Sequence, residues 1–315
     1  MAALLFSVCK ETAGEPVTIE SSQAIIVHGG AWAIPDDQVT AHIAGCVAAR
    51  TAGWQVLQNG GSALDAVEAA VRVMEDDPIF DAGTGSVLTS AGTVELDAAL
   101  MDGRTLRYGA VAGLRRIRNP ITLARYVLQG PATMLVGTGA EEFAATVGIP
   151  LCENAELIVE RERRLWLEWK EKGALPLPSA SSHDTVGAIA LDREGNLVAA
   201  NSTGGTPFKL PGRVGDTPLV GCGLYATPVG AAVCTGWGES ITRVALARRV
   251  VELLEDGLPP QVAAERGIHL LAELVAGGRG GVIVLTPNGE VGLAWNTSRM
   301  AYAYITSHGA AQAGV

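Results

Sequence analysis

The sequence predicts an α+β fold built on antiparallel sheets, and three observations carry that expectation. Strand-like and helical segments run as strands, helices, strands, helices, strands, without regular βαβ alternation. Short apolar runs bracket turn signals at Glu194-Gly195-Asn196 and Pro287-Asn288-Gly289, as in antiparallel hairpins. Hydrophobic residues make up 48 % of the 315 positions and charged residues only 18 %, which supplies a large core. The 39 glycines point to many tight turns or to backbone that comes close to something.

Each element follows from its local pattern. Ala24-Ile25-Ile26-Val27 is a short apolar strand that ends at His28-Gly29-Gly30-Ala31-Trp32. Apolar positions at helical spacing over 39–59 stop at Gly60-Gly61. Ser62 reads as the N-cap of a second helix running to about Met74, with Asp65 three residues on completing a box. A glycine loop follows, Phe80-Asp81-Ala82-Gly83-Thr84-Gly85-Ser86, and Val87 to Leu100 reads as a hairpin turning at Ala91-Gly92. Helices are expected over 120–129 and 139–147, then a single charged one over 155–172 with Trp166 and Trp169. Residues 173–182, rich in Pro, Ser and Ala, break both periodicities and read as a linker. Strands are expected at Thr185–Asp192, Leu197–Ser202, near 230–235, at Gly281–Thr286 and at Val291–Asn296, with helices over 239–255 and 260–276. No internal repeat is visible.

Charge and cysteine usage narrow the function classes. The net charge is −10 and no basic face is visible, which argues against a nucleic-acid partner. The clusters Arg115, Arg116, Arg118 and Arg161, Arg163, Arg164 read as solvated surface charge. An odd count of five cysteines, with no C-x-x-C, fits reduced thiols in a cytoplasmic setting. No apolar run has the length of a membrane span. The start, MAALLFSVCK, lacks the basic flank of a signal peptide, so residues 1–22 read as an extension before the fold.

Common catalytic constellations are missing: no G-x-S-x-G, H-E-x-x-H, P-loop or G-x-G-x-x-G occurs, and none of the five histidines lies four residues from another. What stands out is the density of Thr, Gly, Arg and Asp between 183 and 239. A threonine that starts a strand after a linker is ordinarily a mere β-former, and Arg213 with Asp216 would ordinarily be a surface pair. Thr185, however, has a specific chemical use. If the peptide bond before it is cut, its new α-amine serves as base for its own hydroxyl. That amine has a pKa of ~7.7–8.0, so no histidine is needed.

The ordered motifs then matter: Val27-His28-Gly29-Gly30, Gly60-Gly61-Ser62-Ala63-Leu64-Asp65, Phe80-Asp81-Ala82-Gly83-Thr84-Gly85, Glu95-Leu96-Asp97-Ala98 and Gly109-Ala110-Val111-Ala112-Gly113. They continue with His183-Asp184-Thr185-Val186-Gly187, Asn201-Ser202-Thr203-Gly204-Gly205, Gly212-Arg213-Val214-Gly215-Asp216 and Thr235-Gly236-Trp237-Gly238-Glu239. Over about residues 24–305 the chain resembles the plant-type asparaginase / isoaspartyl aminopeptidase family of N-terminal-nucleophile hydrolases. The resemblance implies a four-layer αββα sandwich. It also implies self-cleavage between Asp184 and Thr185 into an α chain, 1–184, and a β chain, 185–315, interlocked in one domain.

Residue roles come from the same resemblance. Thr185 is the nucleophile and Thr203 supports it. Arg213 grips the substrate α-carboxylate and Asp216 holds the α-ammonium. The Thr235 hydroxyl and the Gly236 N–H form the oxyanion hole, and Gly238 lines the pocket. The backbone carbonyls of Met74, Glu75, Asp77, Phe80, Ala82 and Thr84 would hold a structural Na⁺, with no cofactor in catalysis. The implied substrates are L-asparagine and β-aspartyl dipeptides, and the implied assembly is a homodimer of αβ units. Two departures stand out: Asp81 where the family often has Asn, and a linker shorter than usual. Glycosylasparaginases share the central motifs but usually carry Asn at position 205 and Asp at 239, where this chain has Gly205 and Glu239. A threonine endopeptidase of the same fold would lack the carboxylate at Asp216, and a non-processing homologue acting as a binding protein is a further class.

Overall fold

The computed structural model of the protein describes residues 22–173, 185–309 and 311–315. Residues 1–21 and 174–184, and with them most of the sequence-read linker and Asp184, lie outside the described residues. The fold is mixed α+β.

The first half of the chain begins with β1, Ala24–Trp32. Two helices follow, α1, Val39–Gln58, and α2, Ala63–Asp76. The hairpin β2, Leu96–Asp102, and β3, Tyr108–Leu114, leads to α3, Pro120–Gln129. Then come β4, Met134–Val136, α4, Gly137–Thr146, a 3-10 turn at Asn154–Leu157, and α5, Glu160–Glu171. The second half opens with β5, Val186–Leu191, and β6, Leu197–Thr203. It continues through β7, Leu224–Ala226, β8, Ala231–Gly236, α6, Gly238–Val244, α7, Leu246–Glu255, and α8, Pro260–Leu274. It ends with β9, Gly280–Leu285, β10, Val291–Trp295, β11, Arg299–Thr306, and β12, Gln312–Gly314.

Two sheets result. The larger runs β12-β11-β1-β5-β6-β2-β3-β4, antiparallel except at its β3–β4 edge. The smaller runs β10-β9-β8-β7. Side chains alternate along each strand, so every strand feeds two packing regions. In β1, Ile25 and Val27 join a cluster with α1–α3, whereas Ala24 and Ile26 join one shared with β8 and β9. In β8, Val233 faces that shared cluster while Ala232 and Cys234 face α6–α8. Among the described residues no helix is long and apolar enough to cross a membrane.

The Ser62 box forms as the sequence suggested: its Oγ accepts from Asp65 N at 3.2 Å, and Asp65 Oδ2 accepts from Ser62 N at 3.2 Å. Three expectations are corrected. Val87–Glu95 is not a strand; the turn there is real, with Gly92 N on Thr89 O at 2.9 Å, but β2 pairs with β3 and β6 instead. The charged helix over 155–172 is a 3-10 turn followed by α5. The helix over 239–255 breaks at Ala245, whose left-handed φ of +49 separates α6 from α7.

Candidate active site

The residue that leads into β5 brings the site together. β5 lies between β1 and β6, with Val186 opposite Gly29 and Ser202. Thr185, just before it, is buried, and its Oγ1 lies 3.2 Å from Thr203 Oγ1 at the end of β6. Thr203 Oγ1 also accepts from Gly205 N at 2.9 Å. Across the sheet interface, Thr235 Oγ1 on β8 lies 3.5 Å from the Thr185 carbonyl oxygen. The three sequence-read threonines therefore converge, although they are 18 and 50 residues from Thr185 along the chain.

Gly236 and Gly238 frame the next turn. Gly236 has φ +126, and a Cβ there would run into the Gly280 backbone of β9. Only glycine lets β8 and β9 approach so closely here. A Cβ on Gly238 would meet Asp216 Oδ1 at 2.8 Å and Arg213 Nη2 at 3.0 Å, so the two anchor residues sit against this backbone.

Arg213 and Asp216 interact with each other across the Gly238 backbone. Arg213 donates from Nε and Nη2 to the two carboxylate oxygens of Glu239, at 2.9 and 2.8 Å. Such a two-pronged pair fixes the plane of the guanidinium and leaves its Nη1 side for a second carboxylate. Asp216 is buried, and its Oδ2 has no hydrogen-bond partner among the described residues. Burial pushes its carboxyl up to about 7; Arg213 pulls it down, and Glu239 and Asp97 raise it further. A buried acid with an open oxygen is a receptor for a cationic group.

Several contributors were not legible in the sequence. Glu239 is 26 residues from the arginine it orients. Asn201 Nδ2 donates to Gly223 O and Cys234 O, fixing β6 to the smaller sheet beneath the threonines. Glu95 accepts from Gly212 N at 2.7 Å and pairs with Arg115, which holds the loop bearing Arg213. Lys209, buried, donates to Glu95 O at 2.9 Å. His28 is fully buried against Asn201 and the Thr185 backbone, and desolvation lowers its pKa to about 3, so it is neutral. Asp81 reaches the same region: its Oδ1 accepts from Val87 N, and its carbonyl accepts from Gly204 N beside Thr203.

The sequence-read cation loop curls on itself. Thr84 N donates to Glu75 O at 2.8 Å and Phe80 N to Asp77 O at 3.1 Å, each carbonyl keeping a second lone pair. Thr84 Oγ1 is buried without a hydrogen-bond partner among the described residues. An all-oxygen donor set with an unpartnered buried hydroxyl fits a hard cation.

A family model described as Asparaginase matches residues 21–315. The chain belongs to the asparaginase family. An isoaspartyl peptidase/L-asparaginase from Xenopus laevis is 44 % identical over 283 residues, covering 89 % of this chain and 91 % of the relative. A plant-type L-asparaginase from Pyrococcus abyssi is 43 % identical over 297 residues, covering 90 % and 96 %. An isoaspartyl peptidase/L-asparaginase from Homo sapiens is 44 % identical over 283 residues, covering 89 % and 92 %. As an asparaginase-family member the chain is a hydrolase.

Proposed function

We propose that this chain is a self-cleaving threonine amidohydrolase acting on β-aspartyl dipeptides and L-asparagine. The carrying observation is the buried, open oxygen of Asp216 set beside Arg213 at Gly238, a receptor for the ammonium and carboxylate of one α-carbon. The names of the relatives point the same way. The three clusters, helix to sheet, sheet to sheet and sheet to helix, support the four-layer αββα reading.

In the precursor the Thr185 hydroxyl attacks the Asp184 carbonyl carbon. The Asp184–Thr185 peptide bond breaks in an N→O acyl shift, leaving an ester and a free α-amine. Water hydrolyses the ester, restoring the hydroxyl and releasing the Asp184 carboxylate. In turnover the α-amine takes the Thr185 hydroxyl proton as Oγ1 attacks the side-chain amide carbon. Thr235 Oγ1 and Gly236 N–H receive the developing oxyanion. The amine returns the proton to the leaving nitrogen, and water then clears the acyl-enzyme. Met74, Glu75, Asp77, Phe80, Ala82 and Thr84 would hold a structural Na⁺ by their carbonyls, bracing the loop that carries Asp81. The cytoplasmic setting and the homodimer of αβ units belong to the same reading.

A glycosylasparaginase is disfavoured by one position. Gly205 has φ +94, a backbone conformation in which the Asn of those enzymes would be strained. The test of the proposal is turnover of β-Asp-Leu against α-Asp-Leu by the cleaved protein. The β-linked substrate keeps both free α-groups and is expected to be hydrolysed. The α-linked one lacks the free α-carboxylate and is expected to be inert; equal turnover would overturn the anchor assignment.

A further inference from the structure

On the amidohydrolase reading above, on which this inference rests, self-cleavage and turnover differ in one respect. In turnover the freed α-amine of Thr185 is the base. In the precursor the same nitrogen is a peptide amide and takes up no proton. Another group must then draw the proton from the Thr185 hydroxyl. His28 is buried beside Thr185, but desolvation lowers its pKa to about 3, which makes it a weak base.

The hydrogen bonds of Thr203 point to a different group. Thr185 Oγ1 donates to Thr203 Oγ1 at 3.2 Å, and Gly205 N donates to the same oxygen at 2.9 Å. A hydroxyl has two lone pairs and one donor, so both acceptor positions of Thr203 are filled. Its own proton must point elsewhere, and it meets no acceptor among the described residues. An acceptor without a donor stands on the neighbouring strand. Asp97 of β2 is the register partner of Thr203 of β6. It is fully buried; its Oδ1 accepts from Gly113 N at 2.8 Å, and its Oδ2 has no hydrogen-bond partner among the described residues.

Both side chains lie on one face of the large sheet. Leu96, Ala98 and Ala200 pack toward α1–α3, whereas Ala99 and Ala199 pack toward the small sheet. Alternation puts Asp97 and Thr203 on the small-sheet side, where Thr203 meets Thr185. Directly opposed side chains have Cβ atoms ~4.5–5.5 Å apart, close enough for one bridging water. Burial raises the pKa of the Asp97 carboxyl; Lys209, the Gly113 N–H and Arg213 oppose the rise, and Glu95 adds to it. Asp97 in turn raises Asp216, so its charge is felt at the anchors.

We propose that Asp97, a positioning residue that acts through Thr203, accepts the proton released in self-cleavage, directly or through one water. Thr185 Oγ1 bonds to the Asp184 carbonyl carbon as its proton passes to Thr203 and the Thr203 proton passes to the Asp97 carboxylate. When the Asp184–Thr185 C–N bond breaks, the proton returns along the same path to the Thr185 nitrogen. Asp97 is then a carboxylate again, and the freed amine takes over as base.

The test follows cleavage of pulse-labelled precursor on denaturing gels, in buffers from about pH 4 to pH 8, for wild type, D97N and D97E. A carboxylate accepts a proton only when ionised, so the wild-type rate is expected to rise with pH through the Asp97 pKa and then level off. D97N is expected to slow cleavage by about a hundredfold or more and to lose that rise. D97E moves the acid by one methylene and is expected to keep the rise with a shifted midpoint. Lys209, Arg213, Glu95 and Asp216 are the charged groups that face Asp97, and all four remain in both variants. A rise that survives in D97N therefore belongs to them and overturns the assignment. So does cleavage of D97N at the wild-type rate, or slowed by one factor at every pH. If D97N yields no folded precursor, D97E decides, and an unshifted midpoint overturns the assignment. These outcomes leave the amidohydrolase reading standing, whereas a wild-type precursor that never cleaves overturns the self-cleavage reading and this inference with it.

Discussion

Arg213 commits two of its donors to Glu239 before any substrate arrives, so the free protein already holds the fork in position. Arg213→Ala removes a charge-assisted contact worth ~1.5–3 kcal/mol. The expected result is a fall in kcat/KM for asparagine of about tenfold or more, with self-cleavage still giving two bands on a denaturing gel. Asp216 sets a pH dependence. Its carboxyl, pushed up to about 7 by burial, with Glu239 and Asp97 adding to the rise and Arg213 opposing it, would have to be ionised to hold the ammonium of the proposed substrate. Below pH 7 it is protonated and binding weakens, so KM for asparagine is expected to fall severalfold between pH 6 and pH 8. Asp216→Asn should flatten that trend while weakening binding at every pH; an unchanged slope of KM against pH in the variant would assign the titration to another group. On the proposed reading, a freed Thr185 α-amine, ordinarily of pKa ~7.7–8.0, would act on the proton transfer, so its effect would belong in kcat.

At the scale of elements, local chemistry predicted what local chemistry controls. The Ser62–Asp65 box is a contact between residues three apart, and it forms. Ser62→Ala is expected to cost about 1 kcal/mol in urea unfolding, since it leaves an N-terminal amide of α2 without its acceptor. Where a distant partner decides, the sequence misled. Val87–Glu95 alternates like a strand, yet Asp81 takes Val87 N and Asn154 takes Val94 N, and its backbone bonds are the turn at Thr89 and contacts with Phe208 and Lys209 rather than a ladder. Ala245 carries no turn signal, and its left-handed φ comes from packing α6 and α7 on the small sheet. The strands β11 and β12 went unread because what defines them is distant pairing, β11 with β1 and β12 with β11. The site divides the same way. The threonines that converge were legible through ordered motifs, whereas Glu239 as the partner of Arg213 emerges only once separate elements meet.

For the whole molecule, strand order decides what cleavage before Thr185 would do. In the large sheet, β5 and β6 lie between β1 and β2, and β11 lies on the other side of β1. Strands from before and after the cut thus alternate, and their separation would tear the sheet apart. The cleaved protein is expected to run as one species in native gel filtration and to split only in denaturant. Thr185→Ala should remain a single chain of 32.5 kDa on a denaturing gel. An Edman sequence other than Thr-Val-Gly from active wild type would place the cut elsewhere. The position of β5 has one more consequence. A newly made chain end usually frays, yet this one begins on a strand hydrogen-bonded on both sides, with Gly187 opposite His28 and Asn201. Its amides should exchange with deuterated solvent only when the whole sheet opens, among the slowest in the protein. The severed terminus would then be one of the stillest points of the backbone, and the hydroxyl and amine of Thr185 would need no ordering when substrate binds.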